Sequence, residues 1–367
     1  TGQMDTSFSG DGLVVTALQR PRFGSLRVDR VFAMPDGKIL IVGHFSDFVL
    51  IQYLPTGELD TTFGNGGIKI FDNLFPAMDA ILQPDGKIIA CGGSVFNRFS
   101  VYRFLPDGTL DTTFSGDGQT VVNFGLDPGA NSGGLPTSLA LQPDGKILVA
   151  GRYGSPKPGW ENNPYLDIGV ARLLPNGQLD PTFSTDGKQI FPTESASGSL
   201  AQGAGQPSVV IRPDGKILLA GGFPGRPGVA GYWSMARLTV SGTFDSSFSD
   251  DGQLFAPAES PYCSRTMGLL PQPDGKIIAW GSSRTGPLKI ARFLIDPDTD
   301  GDGADDATEA AIGTSLIATD SDEDGISDGD ELLLHSTDPL DEDSDDDGLL
   351  DGAEVQTHGS DPNLVDT

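Results

Sequence analysis

Pro143-Asp144-Gly145-Lys146-Ile147-Leu148-Val149-Ala150-Gly151, then Ala171-Arg172-Leu173-Leu174-Pro175-Asn176-Gly177, then Asp180-Pro181-Thr182-Phe183, is the stretch that decides the fold. Two short apolar runs are each closed by turn residues. In Pro-Asp-Gly, proline presets φ at the first central turn position and glycine supplies a positive φ. Outward from this stretch the same signatures recur in the same order. Pro-Asp-Gly-Lys stands at Pro35, Pro84, Pro143, Pro213 and Pro273. Asp-x-[Thr/Ser]-Phe begins at Asp5, Asp60, Asp111, Asp180 and Asp245, in steps of 55, 51, 69 and 65 residues. Five copies in register identify a repeat architecture.

Each copy reads as four strands. In the third they are 119–124, 138–142, 146–150 and 168–174, rich in Val, Ile, Leu and Phe and bounded by Gly, Pro, Asp and Asn. Four antiparallel strands repeated five times predict an all-β, five-bladed β-propeller over residues 1–295. The 50 Gly and 27 Pro agree with many short elements joined by turns. The chain starts inside a repeat and leaves the body after the 291–294 strand. Residues near Leu13–Ala17 are therefore expected to complete the last blade and close the ring. The Pro-Asp-Gly-Lys turns are constant, whereas 125–137, 152–167, 192–207 and 222–234 vary in length. All long connections are expected on one face, the place where binding usually sits on a rigid scaffold. Trp160, Tyr165, Tyr232 and Trp233 are the candidate ligand-face aromatics there. The recurrent Arg103, Arg172, Arg237 and Arg292 are expected to be structural, pairing with the repeat aspartate.

The net charge of −28 belongs to the end of the chain. Residues 296–367 hold 20 Asp and 5 Glu and no Lys or Arg, which leaves 26 acidic against 23 basic residues in 1–295. With no clustered cations, nucleic-acid binding is disfavoured. Within 296–367 one spacing occurs three times: Asp at positions 1, 3 and 5, Gly at 6, Asp at 9 and Glu at 12. The candidate metal ligands are Asp298, Asp300, Asp302, the Ala304 carbonyl, Asp306 and Glu309; Asp320, Asp322, Asp324, the Ile326 carbonyl, Asp328 and Glu331; and Asp343, Asp345, Asp347, the Leu349 carbonyl, Asp351 and Glu354. Hard oxygen ligands at this spacing suit calcium, and three or more ions are expected. Position 9 is expected to act through water or to serve an adjacent site. Loop starts lie 22 and 23 residues apart, too close for two full helices around each loop. Little regular structure is predicted. The 361–367 stretch repeats 338–344, as if a fourth loop began at Asp366, and the natural protein is expected to continue past Thr367.

These residues carry two resemblances. Asp-Thr-Thr-Phe, Pro-Asp-Gly-Lys-Ile-[Leu/Ile]-x-x-Gly and Ala-Arg-Leu-Leu-Pro-Asn-Gly resemble the bacterial delta-60 repeat, over about residues 1–295. That resemblance implies a propeller in a secreted or surface protein and implies no catalytic residues. The acidic loops with Thr337-Asp338-Pro339 resemble the thrombospondin type 3 calcium-binding repeat in its bacterial form. It implies a chain wrapped around a line of ions, with ligands shared between neighbouring motifs.

Catalytic motifs are missing. There is no Gly-x-Ser-x-Gly elbow, P-loop or Cys-x-x-Cys, and His44, His335 and His358 sit in no metal or acid–base spacing. Ser-Gly-Asp-Gly at 9–12 and 115–118 reads as turn chemistry. Cys91 is expected to be a buried small apolar residue, and a Cys91–Cys263 disulfide is not expected. No apolar run is long enough for a membrane span and no leader is visible, so a processed extracellular chain is expected. The leading reading is a secreted or cell-surface structural or adhesion protein, not an enzyme, whose propeller binds a protein or glycan at the long-loop face. A lectin is the alternative, and a propeller-type glycoside hydrolase the third.

Overall fold

The structure is a computed structural model, and it describes residues 2–16, 26–93, 98–124, 134–155, 165–191, 207–212, 214–223, 232–249, 251–257, 266–272, 276–282, 288–293 and 299–365. Five antiparallel sheets follow one another. The first is β1 (Arg27–Ala33), β2 (Ile39–His44), β3 (Phe48–Tyr53) and β4 (Ile68–Phe71). The second is β5 (Ala77–Leu82), β6 (Ile88–Gly93), β7 (Arg98–Phe104) and β8 (Gln119–Asn123). The third is β9 (Leu135–Leu141), β10 (Ile147–Ser155), β11 (Tyr165–Leu173) and β12 (Lys188–Phe191). The fourth is β13 (Ser208–Ile211), β14 (Ile217–Phe223), β15 (Tyr232–Leu238) and β16 (Gln253–Pro257). The fifth holds β17 (Thr266–Pro271), β18 (Ile277–Ser282) and β19 (Leu288–Phe293). In each sheet the strands lie in chain order. The chain is a five-bladed β-propeller.

First strands of successive blades touch: β1 on β5, β5 on β9, β9 on β13 and β13 on β17. That places them at the narrow, axial end of each wedge. Blade five and blade one share no contact of comparable extent among the described residues, and Val28 and Val31 on β1 and Ile290 on β19 stay exposed.

Blades two to four carry apolar side chains on both faces, because each is sandwiched by two others. Leu40, Val42, Phe48 and Leu50 of blade one meet Ala80, Ile88, Ala90 and Phe104 of blade two. Comparable clusters fill the gaps from blade two to three, three to four and four to five. A Leu or Ile buried this completely contributes about 1.5–3 kcal/mol.

The third-to-fourth strand connection is the seam. It is 14 residues long in each of the first four blades: 54–67, 105–118, 174–187 and 239–252. It carries the Asp-x-x-Phe signature, whose phenylalanine lies on the turn glycine of the following blade. Gly177 has φ +89°, and a Cβ there would stand 2.8 Å from the Phe114 ring. Glycine is required both by the left-handed backbone and by the ring above it. Beside it Ser115 N–H donates to Asn176 O at 2.7 Å. The repeat arginine completes the seam: Arg172 Nε donates to Asp180 Oδ2 at 2.8 Å, its Nη1 reaches Val240 O of the next blade at 2.6 Å, and its guanidinium lies 4.7 Å from the Phe183 ring. Arg103 with Asp111 and Arg237 with Asp245 repeat the ion pair at 2.8 Å.

Two expectations change. The 119–123 strand, read as the first of the third copy, is β8 and pairs with β7 of blade two. The period alone does not say which neighbour a strand bonds. Residues 13–16 form no strand in blade five. Leu13 and Val15 are exposed, while Val14 packs with Val49, Ile51 and Tyr53 of blade one. Phe8 lies against Gly57, and Ser9 N–H donates to Thr56 O at 2.7 Å. The N-terminal segment thus gives blade one the seam that blades one, two and three give the next, without the expected strand.

The tail holds three short helical turns. They are α1 (Asp306–Ile312), α2 (Asp328–Asp330), which runs into a wider π-type turn Glu331–His335, and α3 (Asp351–Ala353), which runs into a second, Glu354–His358. Regular structure is otherwise sparse, as the loop spacing predicts.

Candidate metal centres and the propeller face

The acidic loops are built by their own aspartates. Position 6 glycines turn the chain, with φ of +107° at Gly303, +102° at Gly325 and +96° at Gly348. In the second loop Asp320 accepts Glu323 N–H at 2.7 Å and Gly325 N–H at 3.1 Å. Asp322 accepts Asp324 N–H at 3.1 Å, and Asp324 accepts Ile326 N–H at 2.7 Å. Carboxylate oxygens of Asp320, Asp322 and Asp324 lie within 4.8 Å of one another, and so do those of Asp343, Asp345 and Asp347. Asp298 lies outside the described residues; Asp300 and Asp302 of the first loop keep the same local bonds.

Position 9 anchors the loop to its own start. Both oxygens of Asp328 are taken by Ser321, from N–H at 2.7 Å and from the hydroxyl at 2.6 Å. Asp306 holds Thr299 in the same way, and Asp351 accepts Ser344 N–H at 2.9 Å. Position 12 is fully buried as Glu309, Glu331 and Glu354. Thr337 donates to Glu331 Oε1 at 3.0 Å, while Glu331 Oε2 is buried without a hydrogen bond. Asp300 Oδ2, Asp322 Oδ2, Asp345 Oδ2 and Asp351 Oδ2 share that condition. Burial, with neighbouring carboxylates adding repulsion, pushes Glu331 up to about 8 and Asp322 up to about 6. Buried carboxylate oxygens without donors, with no Lys or Arg in 296–367, fit a hard divalent cation. The tail carries acid clusters suited to metal.

Consecutive loops interlock through a joint the sequence reading missed. Gly329 N–H donates to Asp302 Oδ2 at 3.0 Å, and Gly352 N–H to Asp324 Oδ2 at 2.6 Å. A Cβ on Gly352 would come within 2.3 Å of Asp324 O. Position 10 is therefore glycine in the second and third loops, whereas the first has Ala307. That contrast was the available signal.

On the propeller, Trp160 lies outside the described residues. Tyr165 opens β11, and Tyr232 and Trp233 open β15, so these three are strand residues rather than loop residues. Strand order puts the second-to-third and blade-to-blade connections on one face, opposite the 14-residue seams. The connections that vary in length all join strand ends of that set. At the same end of the axial strands are four ionisable residues. His44 Nδ1 is 2.7 Å from Asp29 Oδ2, and Arg30 Nε is 2.6 Å from Asp79 Oδ1. Burial holds both aspartates above the usual carboxylate range, against the pull of His44 and Arg30. Asp79 also accepts Leu139 N–H of blade three at 2.8 Å. Arg30 and Asp79 occupy the position held by Ser138, Ser208 and Gly268 in the other blades. His44, expected to be an ordinary residue, is half-buried in this group. Cys91 is a free, fully buried cysteine, and burial raises its thiol well above the usual value. Cys263 lies outside the described residues.

Seam-joined blades followed by carboxylate loops define a repeat propeller with an acid-loop tail. Residues 35–63, 83–114, 142–183 and 212–248 match the family described as "Domain of unknown function (DUF5122) beta-propeller". Residues 298–314, 320–342 and 343–364 match the bacterial TSP3 repeat. The body of the chain is a DUF5122 β-propeller and its tail a run of bacterial TSP3 repeats. No curated protein matches the sequence. Among solved structures, a protein of unknown function from Bacteroides caccae is similar at 15% identity and a TM-score of 0.37, covering 73% of this chain and 78% of that one. A protein of unknown function from Dyadobacter fermentans gives 11%, 0.38, 74% and 76%. An endo-arabinase from Bacteroides thetaiotaomicron gives 10%, 0.35, 72% and 93%. Likenesses this weak carry no argument about what the chain binds or does.

Proposed function

We propose that the protein is an extracellular binding or assembly scaffold rather than an enzyme. Its propeller presents one recognition face, and its tail is a spacer stiffened by at least three calcium ions. The observation that supports it is the division of the blades into two faces. One face is spent on seams of constant length. The other gathers the connections of variable length and the polar group of Asp29, Arg30, His44 and Asp79 at the axial mouth. Asp300, Asp302, Asp320, Asp322, Asp324, Asp343, Asp345 and Asp347 with Glu309, Glu331 and Glu354 would hold the ions. Calcium would cancel their repulsion and order a segment too poor in apolar residues for a core of its own. Millimolar calcium outside cells would fill even weak sites of this kind. Among the described residues no helix is long and apolar enough to cross a membrane.

A carbohydrate-binding reading is favoured by the same mouth, where two polar pairs, Asp29 with His44 and Arg30 with Asp79, break the repeat. The test is the full chain in calcium on a glycan array and against surface-protein extracts, beside a variant with 156–164 and 224–231 replaced by short Gly-Ser linkers. Binding lost on shortening supports the face assignment, and retention on glycans alone selects the lectin reading. Binding unchanged by shortening overturns the face. Turnover of a polysaccharide would overturn the non-enzymatic reading.

A further inference from the structure

Two residues that depart from their own repeats meet across the junction of body and tail. The position before Pro-Asp-Gly-Lys is Gln83, Gln142 and Gln272 in three blades, and Met34 in another, but Arg212 in blade four. Loop position 8 is Ser327 and Leu350 in the second and third acidic loops, but Asp305 in the first. Arg212 Nη2 donates to Asp305 Oδ2, and both side chains are only 6% exposed. Asp305 is also the N-cap of α1, accepting Thr308 N–H at 3.0 Å through Oδ1. It stands between the Ala304 carbonyl at position 7 and Asp306 at position 9, one turn before Glu309. Each departure adds a contact beyond its own repeat: the other blades fold with glutamine or methionine, and the second loop caps its turn with Ser327 where the first uses Asp305.

We propose that Arg212 and Asp305 form a clamp that seats the first acidic loop on the rim of blade four, so that the propeller raises the calcium affinity of that loop above what the loop has alone. The clamp orders the backbone at positions 7 to 9 and the start of α1, which calcium would otherwise have to order itself. It also makes the body–tail joint a fixed one. A buried ion pair holds such a joint firmly because removing either partner strands the other charge away from water. The calcium part of this proposal rests on the tail being a calcium array, and the docking part does not.

The full chain is the material for the test, as wild type, Arg212→Gln, Asp305→Asn and the double variant. Glutamine is the residue three other blades carry, and asparagine keeps the N-cap. Calcium titration should show one of the sites weakened about tenfold in either single variant, within the usual range of couplings between sites, with the others unchanged. The double variant should lose no more than the singles. Hydrogen exchange over 299–314 should speed up in all three, while the propeller melt stays put. Unchanged calcium affinity and unchanged exchange in both singles would overturn the clamp. Should Arg212→Gln unfold blade four, Asp305→Asn alone decides the matter. If the wild type binds no calcium, the calcium reading fails, and the exchange difference at 299–314 still reports on docking.

Discussion

Carboxylates of the propeller seams and of the tail fare in opposite ways. In the propeller Asp60 sits beside Lys38, Asp111 beside Arg103, Asp180 beside Arg172 and Asp245 beside Arg237. Burial alone would raise Asp180, but bonds from Thr182 and the charge of Arg172 hold it below its ordinary value. In the tail the acids crowd one another with no Lys or Arg of their own, and burial raises Asp322 and Glu331. The propeller brings its own cations, whereas the tail, apart from Arg212 at Asp305, has none beside its acids. On the proposed reading it takes them from solution, so that the order of the body is internal and that of the appendage conditional.

Removing calcium should break the comparison open most widely. With chelator, hydrogen exchange over 299–365 should accelerate by roughly a hundredfold or more, while the strands of blades one to four keep their protection. Equal protection of the tail with and without chelator would mean that it folds on its own. The next largest effect is expected inside the propeller. Arg172→Ala should cost about 3 kcal/mol in a denaturant titration, because buried Asp180 loses its close partner and keeps only Lys146 at 4.0 Å and the bonds from Thr182, and should leave calcium binding unmoved. Gly352→Ala should do the reverse at smaller size. A methyl forced against Asp324 O should cost about 1–3 kcal/mol of tail order and uncouple the second loop from the third, with no change in the propeller.

Acid should sharpen the contrast by its sign. A carboxylate with a depressed folded pKa contributes stability that is present above its unfolded value of about 3.9 and is lost as pH falls through the folded value. The seams should thus hold from neutral pH to about 4 and weaken below it, as Asp111, Asp180 and Asp245 lose their charge. A raised carboxylate works the other way. Its contribution is present below the unfolded value and disappears as pH rises through the folded one. The calcium-free tail should therefore be better protected at pH 4 than at pH 7, and loosest above about 8, where Glu331 has ionised. Exchange at these pH values, corrected for intrinsic rates, checks both signs.

The blade count and the acidic loops were legible because each rests on local chemistry: a turn needs Pro-Asp-Gly, and an ion needs oxygens at set spacings. Blade phase was not, since Gln119–Asn123 looks equally good beside either neighbour until Arg103 and Asp111 lock β7 to its own seam. The expected strand at 13–17 failed for a related reason. The place of these residues in the repeat suggests a closing strand, but the attachments formed are Phe8 on Gly57 and Val14 on blade one. Asp29 with His44 and Arg30 with Asp79 are strand residues that acquire meaning once β1 and β5 stand side by side at the axis. Of the acidic loops, the ligand positions could be read directly, whereas the joint at Gly329 and Gly352 is a contact between units and shows only as a glycine whose own loop does not require it.

That joint has a bearing on how such a tail changes over generations. One half of it is an aspartate at position 5 and the other a glycine amide at position 10, so a single unit of 22 or 23 residues encodes both. Tandem duplication of that unit copies a complete fitting, and the new copy can be spliced between two old ones with no compensating substitution. Length becomes a trait that one recombination event can alter in whole steps, leaving the ring of blades untouched.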